Sequence, residues 1–341
     1  MSLTNHQFRL AARPVGLPKR SDWNYVEEPV RDPGPGEVLI KTLYLSLDPA
    51  MRGWMNEGQS YVAPVGIGDV MRAGGAGRVI ASQNPAFAVG DHVTGILGAQ
   101  EYALFNADAA KGLTKVDPKL VPLPVYVGAL GLTGLTAYFG LLEVGQIKAG
   151  DTVVISGAAG ATGMVAGQIA KIKGCRAVGI AGGPEKCGYL TKELGFDAAI
   201  DYKNENVAEA LRKHCPNGVN VYFDNVGGEI LDTVLAQLAR GARVVICGAI
   251  SQYNNTTPIK GPSNYLALLI SSSRMEGFIV FNYAARYGEA AREMAGWMKA
   301  GKLKSKEDIV EGFQTFPDTL LKLFRGENFG KLMIKVAEDS N

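Results

Sequence analysis

The sequence predicts an α/β protein in two parts, a mainly β region followed by a doubly wound parallel sheet with helices on both faces. Three observations lead there. The chain has 341 residues, beyond the size at which one hydrophobic core usually stops growing. Its local pattern changes after about residue 150, from short β-segments between turn signals to strands that alternate with helices of 10 to 15 residues, the pattern of a parallel sheet. A dense run of small residues, Gly157 to Thr162, sits between an apolar strand and a helix.

The elements follow in order. From Gln7 to about Leu123, "DPGPGEVLIKTLYLSLD" sets a Pro/Gly turn before alternation from Val38 to Leu47, and "AGGAGRVIAS" and "VGDHVTGI" repeat the pattern. Such short strands between turns predict a compact barrel-like domain. A proline-rich join, "VDPKLVPLPVYV", leads into a helix expected from Val127 to Leu142. Then "DTVVISG" reads as a strand, "ATGMVAGQIAKIKG" as a helix, "CRAVGIAG" as a strand, "PEKCGYLTKELG" as a helix and "AAIDY" as a strand. "VAEALRKHCPNG", "VNVYFDNVGG", "EILDTVLAQLARG" and "ARVVICGAI" continue the alternation. Helices are expected near Tyr287 to Ala300 and Pro317 to Phe324, and the final run "GKLMIKVAE" is expected to rejoin the first domain as a strand. The doubly wound part, residues 126–303, is then an insertion between residues 1–125 and 304–341.

Composition narrows the function. Net charge is +2 with dispersed Lys and Arg, unlike the basic face of a nucleic-acid binder. The N-terminus lacks the apolar core of a signal peptide, and no apolar run reaches the roughly 18 residues of a membrane span. A cytoplasmic protein with small-molecule partners is the expectation, with neither nucleic acid nor membrane. Cys175, Cys187, Cys215 and Cys247 form no CxxC pair, which points to free thiols in a reducing compartment.

Gly157, Gly160 and Gly163 follow one predicted strand and open a helix. Strand, glycine turn, helix and second strand make the βαβ unit on which dinucleotides bind, with the pyrophosphate against backbone N–H groups at the helix N-terminus. An NAD site usually ends its second strand in an acid that holds the ribose 2′-hydroxyl. Here "CRAVGIA" runs into Gly182 and Gly183, and Lys186 stands in the first turn of the next helix. A lysine there pairs with a 2′-phosphate as a point charge, so NADP is the expected cofactor; a solvated helix-face lysine is the alternative. Tyr202, after the third strand, is placed at the adenosine. The ends of "YFDNVGG" and "VVICGAISQYNN" bring Asn225 and the segment Cys247 to Tyr253 to the same crevice, Asn225 otherwise serving only the turn.

Domain order and motifs together resemble the medium-chain dehydrogenase/reductase superfamily. Its alcohol dehydrogenases hold zinc through a Cys, a Gly-His-Glu motif and a further Cys or Glu. The corresponding stretch here reads "GDVMRAGGAGRV", and all four cysteines lie beyond residue 170. No metal site is expected. "YLSLDPAMRGWM", "GLTGLTAYFGLLEVG", "YFDNVGGE", "CGAISQYN", "RMEGFIVF" and "ENFGKLMIKV" are similar to the zinc-free, NADPH-dependent 2-alkenal and 2-alkenone double-bond reductases, the prostaglandin and curcumin reductases among them. The resemblance runs over nearly the whole chain. It implies a GroES-like β-barrel-type catalytic domain beside a Rossmann NADP-binding domain, and commonly a homodimer. It also implies NADPH/NADP+ contacts at Gly160, Ala161, Thr162, Gly163, Lys186, Tyr202 and Asn225. Further contacts fall on Cys247, Gly248, Ala249, Ile250, Ser251, Gln252 and Tyr253, then on Phe278, Ile279, Val280 and Asn328. Thr162 replaces the family's usual valine, a nearly isosteric change.

An α,β-unsaturated aldehyde or ketone accepts hydride at its β-carbon when charge developing on the carbonyl oxygen is stabilised. The Tyr253 phenol is the candidate donor; a purely packing role, with the proton from a cofactor 2′-hydroxyl or water, is the alternative. Tyr44, Met51, Tyr61 and Tyr265 are candidate substrate walls, in a pocket expected between the domains, with a plain core or rim position as the alternative for each. NADPH quinone reduction and non-catalytic NADPH binding stand as the other readings of the chain.

Overall fold

The structure, a computed structural model, describes residues 3–339. The chain forms two compact units, one from the residues up to Val127 together with those from Glu307 onward, the other from Gly128 to Lys306.

In the first unit β1 (Thr4–Leu10) pairs antiparallel with β2 (Trp23–Pro29). β3 (Val38–Ser46) is the axis of the larger sheet, and α1 (Ala50–Trp54) follows it. β4 (Gly74–Ser82), β5 (His92–Ile96), β6 (Tyr102–Phe105) and β7 (Thr114–Val116) complete this stretch before α2 (Leu123–Val127). Val38 and Ile40 pack with Val79 and Val93, whereas Leu45 joins Phe8, Trp23 and Met71 in a second cluster. β3 therefore sends its apolar side chains into two separate clusters.

The second unit opens with a departure from expectation. In place of one helix from Val127 to Leu142, α2 stops at Val127 and α3 (Leu132–Phe139) starts anew, running into a π-helical turn at Gly140–Val144. The reason lies in the glycines of "VGALGLTG". Gly128 and Gly131 close a tight turn with a 3.0 Å N–H···O bond, and a Cβ on Gly134 would lie 1.8 Å from the Ala129 carbonyl oxygen. Only glycine admits so close an approach.

Alternation then proceeds as the apolar pattern predicts: β8 (Thr152–Ser156), α4 (Ala161–Ile172), β9 (Arg176–Ala181), α5 (Pro184–Lys192) and β10 (Ala198–Asp201). Next come α6 (Val207–His214), β11 (Val219–Asp224), α7 (Gly228–Leu235), β12 (Leu238–Ile246), α8 (Ala267–Ile270), β13 (Arg274–Gly277) and α9 (Tyr287–Lys299). The strands are parallel in the order β10-β9-β8-β11-β12-β13. This is the doubly wound order that reverses between β8 and β11, and it opens a crevice at their carboxyl ends. A Cβ on Gly167 would lie 1.8 Å from the Phe196 ring, so the bare backbone of α4 is what lets that ring pack against it.

The chain returns to the first unit with β14 (Glu307–Glu311), α10 (Phe316–Arg325) and β15 (Lys331–Lys335). β15 pairs antiparallel with β3 and parallel with β14. Its Leu332, Met333 and Ile334 are fully buried, each contributing about 2 kcal/mol. Lys331 is 3% exposed, and its ammonium donates 2.8 Å bonds to the Leu47 carbonyl and to Asp48 Oδ1. A buried cation is tolerated here because both partners are in place, and the pair ties the last strand to the start of "DPAMRG".

Candidate active site

The glycine turn begins where β8 ends. Gly157 has φ 58°, a left-handed conformation that favours glycine. A Cβ on Gly163 would lie 2.4 Å from the Gly157 carbonyl oxygen and 2.7 Å from Ala158 Cα, so α4 closes onto its own entry turn only with glycine there. Gly160 is the N-cap of α4 and carries no side-chain cap. The first-turn N–H groups, those of Ala161, Thr162 and Gly163, therefore present the positive end of the helix dipole without a capping side chain. A bare helix start after a glycine turn fits a pyrophosphate.

β9 ends at Ala181, and Gly183, with φ 97°, caps α5 ahead of Pro184. Lys186 lies half-buried in the first turn. β10 runs parallel in register, Asp201 opposite Ala181, so Tyr202 and Lys203 emerge beside Gly182. Asp201 is the buried acid of this corner and is turned inward. It accepts from the Gly183 N–H at 2.8 Å, the Lys203 N–H at 3.1 Å and Asn204 Nδ2 at 2.7 Å. Burial alone would raise its carboxyl; these hydrogen bonds and the Lys203 charge outweigh burial and hold it below the usual carboxylate range.

Across the crevice, Asp224 ends β11 with no exposed surface. One oxygen, Oδ1, accepts from Ser156 Oγ and the Tyr222 hydroxyl at 2.8 Å and from the Val226 and Gly227 N–H groups at 2.9 Å. The Asp224 carbonyl accepts from Cys247 and Gly248, at 2.9 and 3.0 Å. Asn225 is bound to the same corner, its N–H donating to Ser156 Oγ at 2.9 Å and Nδ2 to the Ser156 carbonyl at 2.7 Å. Ile250 and Ser251 donate in turn to the carbonyls of Asn225 and Val226, at 3.2 and 3.1 Å. The ends of β8, β11 and β12 are thus sewn into one rim. Desolvation pushes the Cys247 thiol up to about 12, so it stays protonated at neutral pH.

Tyr253 folds back over this rim. Its hydroxyl oxygen accepts from the Ala249 N–H at 3.1 Å, and a Cβ on Gly248 would lie 2.8 Å from it. An N–H donating to the phenol oxygen leaves the O–H proton for an acceptor elsewhere.

The residues expected at the cofactor therefore gather on the carboxyl ends of the sheet: 160–163 and Asn225 with 247–253, and Lys186 with Tyr202. Phe278, Ile279 and Val280 follow β13, and a Cβ on Gly140 would lie 2.7 Å from the Phe278 ring. Asn328 belongs to the first unit, ahead of β15, with Nδ2 donating to the Gly330 carbonyl at 3.1 Å. Of the expected substrate walls, Tyr44 sits half-buried on β3, its phenol raised by burial. Tyr61 is half-exposed and its hydroxyl accepts from Trp54 Nε1 at 3.1 Å. Tyr265 is exposed ahead of α8. Met51 is a correction: it has no exposed surface and packs among Phe8, Trp54, Phe316 and Leu320. As part of α1 it points into the core, and its apolar side chain needed no other reason to be there. Ser156, Asp201, Lys203 and Asp224 are not singled out by the sequence; a Ser or Asp at the last position of an apolar strand is the signal for Ser156, Asp201 and Asp224, and Lys203 carries none.

Among the described residues no three His, Cys, Asp or Glu side chains gather into a metal-holding group. A family model described as the N-terminal domain of oxidoreductase matches residues 6–116, and one described as zinc-binding dehydrogenase matches residues 161–296. YfmJ of Bacillus subtilis is 49% identical over 343 aligned positions, spanning 100% of both chains. The NADPH-dependent curcumin reductase of Escherichia coli is 43% identical over 98% of each. The crystal structure of CurA in complex with NADPH from Vibrio vulnificus, 42% identical, superposes with a TM-score of 0.92 over 98% of this chain and 99% of that one. The chain belongs to the medium-chain dehydrogenase/reductase superfamily, in its group of NADPH-dependent double-bond reductases.

Asp224→Ala removes the acceptor of four donors and is expected to lower the unfolding free energy by roughly 3 kcal/mol in urea denaturation. Asp224→Asn, which keeps an oxygen at Oδ1, is expected to recover at least half of that. Amide hydrogen exchange at Cys247 to Ser251 should accelerate in the alanine variant. Unaltered protection there would mean that the rim does not depend on this carboxylate.

Proposed function

We propose that the protein reduces the C=C bond of α,β-unsaturated aldehydes and ketones with NADPH. The observation that carries this reading is the match over nearly the full length to a curcumin reductase and to CurA holding NADPH, joined to a crevice whose parts suit that cofactor.

NADPH, when bound, supplies a hydride for the β-carbon, and the α-carbon then takes a proton. The protein's part is binding, orientation and charge. The first-turn N–H groups of α4 hold the pyrophosphate, and Lys186 with Tyr202 holds the phosphorylated ribose. Asn225, the rim from Cys247 to Tyr253 and the segment Phe278 to Val280 fix the nicotinamide half, with Asn328 added by family likeness. The Tyr253 hydroxyl donates to the substrate carbonyl oxygen as negative charge develops there, its geometry set by the Ala249 N–H. Tyr44, Tyr61 and Tyr265 are proposed to face the substrate. The residues up to Val127 and from Glu307 onward are assigned to substrate binding, and Gly128–Lys306 to the cofactor.

A homodimer is proposed as well. β13 is the edge of the parallel sheet and all four of its residues are exposed, beside Leu269 and Ile270 of α8, which are 77% and 81% exposed. An open strand edge flanked by apolar side chains is a template for pairing with a second copy. Sedimentation equilibrium at twice 36.2 kDa supports this; the monomer mass at micromolar concentration contradicts it. A reducing, cytoplasmic setting is proposed from the four free cysteines, and cell fractionation tests it.

The activity is checked by product analysis after turnover of 2-nonenal, 3-nonen-2-one, curcumin and a quinone with NADPH. Saturated aldehyde or ketone is the expected product; an allylic alcohol, or turnover of the quinone alone, would overturn the reading. Tyr253→Phe is expected to lower the single-turnover rate by 10- to 100-fold while NADPH affinity stays within about twofold. An unchanged rate would remove Tyr253 from the chemistry.

A further inference from the structure

We infer that Lys203 is a second cation for the 2′-phosphate of the cofactor, working beside Lys186. The inference rests on the NADPH reading above and extends it to a residue outside the segments the family resemblance supplies.

Register is the starting point. β9 and β10 are parallel with Asp201 opposite Ala181, and the Tyr202 N–H donates to the Ala181 carbonyl at 3.1 Å. The two chains therefore leave the sheet side by side, Gly182-Gly183 from one and Tyr202-Lys203 from the other. A Cβ on Gly182 would lie 2.9 Å from both Tyr202 Oη and Lys203 Cε. Both side chains thus reach over the position where an NAD site would place its acid, next to the ribose 2′ position. Lys203 brings positive charge to the spot where an NAD site has negative charge.

The buried acid of this corner is already engaged. Asp201 is 6% exposed and accepts the N–H groups of Gly183 and Lys203 together with Asn204 Nδ2. Its charge is taken up by holding the two turns together, and the Lys203 backbone is fixed in the process. Glu205 is also close, its Oε1 accepting the Asp201 N–H at 3.0 Å. The competing role for Lys203 is neutralisation of these two carboxylates. The two roles differ in what they predict. A phosphate ligand discriminates between nucleotides with and without the 2′-phosphate, whereas a neutralising lysine steadies the turn for both. Lys203 is exposed, so removing it should not prevent folding.

Calorimetric titration of the full-length protein with adenosine 2′,5′-bisphosphate and with 5′-AMP tests the assignment without requiring turnover. Lys203→Met is expected to weaken the bisphosphate about fivefold, the upper end for an exposed ion pair, while 5′-AMP stays within twofold. Lys203→Arg should restore most of the loss, and Lys186→Met should show the same selectivity. Equal weakening of both nucleotides, or of neither, in Lys203→Met would overturn the proposal. A wild-type protein with no preference for the bisphosphate would instead overturn the NADPH reading itself.

Discussion

The buried carboxylate of Asp224 is the constraint on which the crevice depends. A doubly wound sheet leaves its strand ends as separate loops, and each loop has backbone groups that need partners once they are withdrawn from water. Asp224 supplies them: one oxygen for the serine at the end of β8, the tyrosine two residues before it and the two N–H groups after it. Its carbonyl takes the first two N–H groups beyond β12. The side-chain bonds fix the 224–227 turn, and the carbonyls of Asp224, Asn225 and Val226 in turn place the 247–251 segment, and with it Tyr253, relative to the glycine turn.

A division of labour follows along the sheet edge. At the centre, where β8 meets β11, the site is made of backbone: a bare helix start and a turn whose glycines permit contact that any Cβ would block. At the β9–β10 corner it is made of charge, with the acid turned inward and lysines outward. The first arrangement suits any dinucleotide pyrophosphate, and the second is the proposed selector of the ribose. Both depend on residues that look unremarkable alone, because glycine acts here by what it lacks and Asp201 by where it is pointed.

Much of the fold is legible in the sequence. Parallel strands buried on both faces leave continuous apolar runs such as "TVVIS" and "VNVYF", and these alternate with helices at spacings that few other folds share. The glycine turn is readable because its conformational demands exclude other residues. The break at Gly128 to Gly131 is not, because the apolar run with its leucines and alanines is compatible with one continuous helix and only the folded-back Ala129 carbonyl reveals what the glycines do. Met51 misled for a related reason: an apolar residue in a characteristic motif reads the same whether it lines a pocket or fills a core. Lys203 and Asp201 stayed hidden since their roles depend on the register between two strands, which a single sequence does not state.

The destination of the hydride separates C=C reduction from carbonyl reduction. NADPH deuterated at the transferable position of C4, incubated with 3-nonen-2-one and the protein, should give a saturated ketone carrying deuterium on the β-carbon by NMR. Deuterium on the carbonyl carbon of an alcohol, or none in any product while NADPH is consumed, would contradict it.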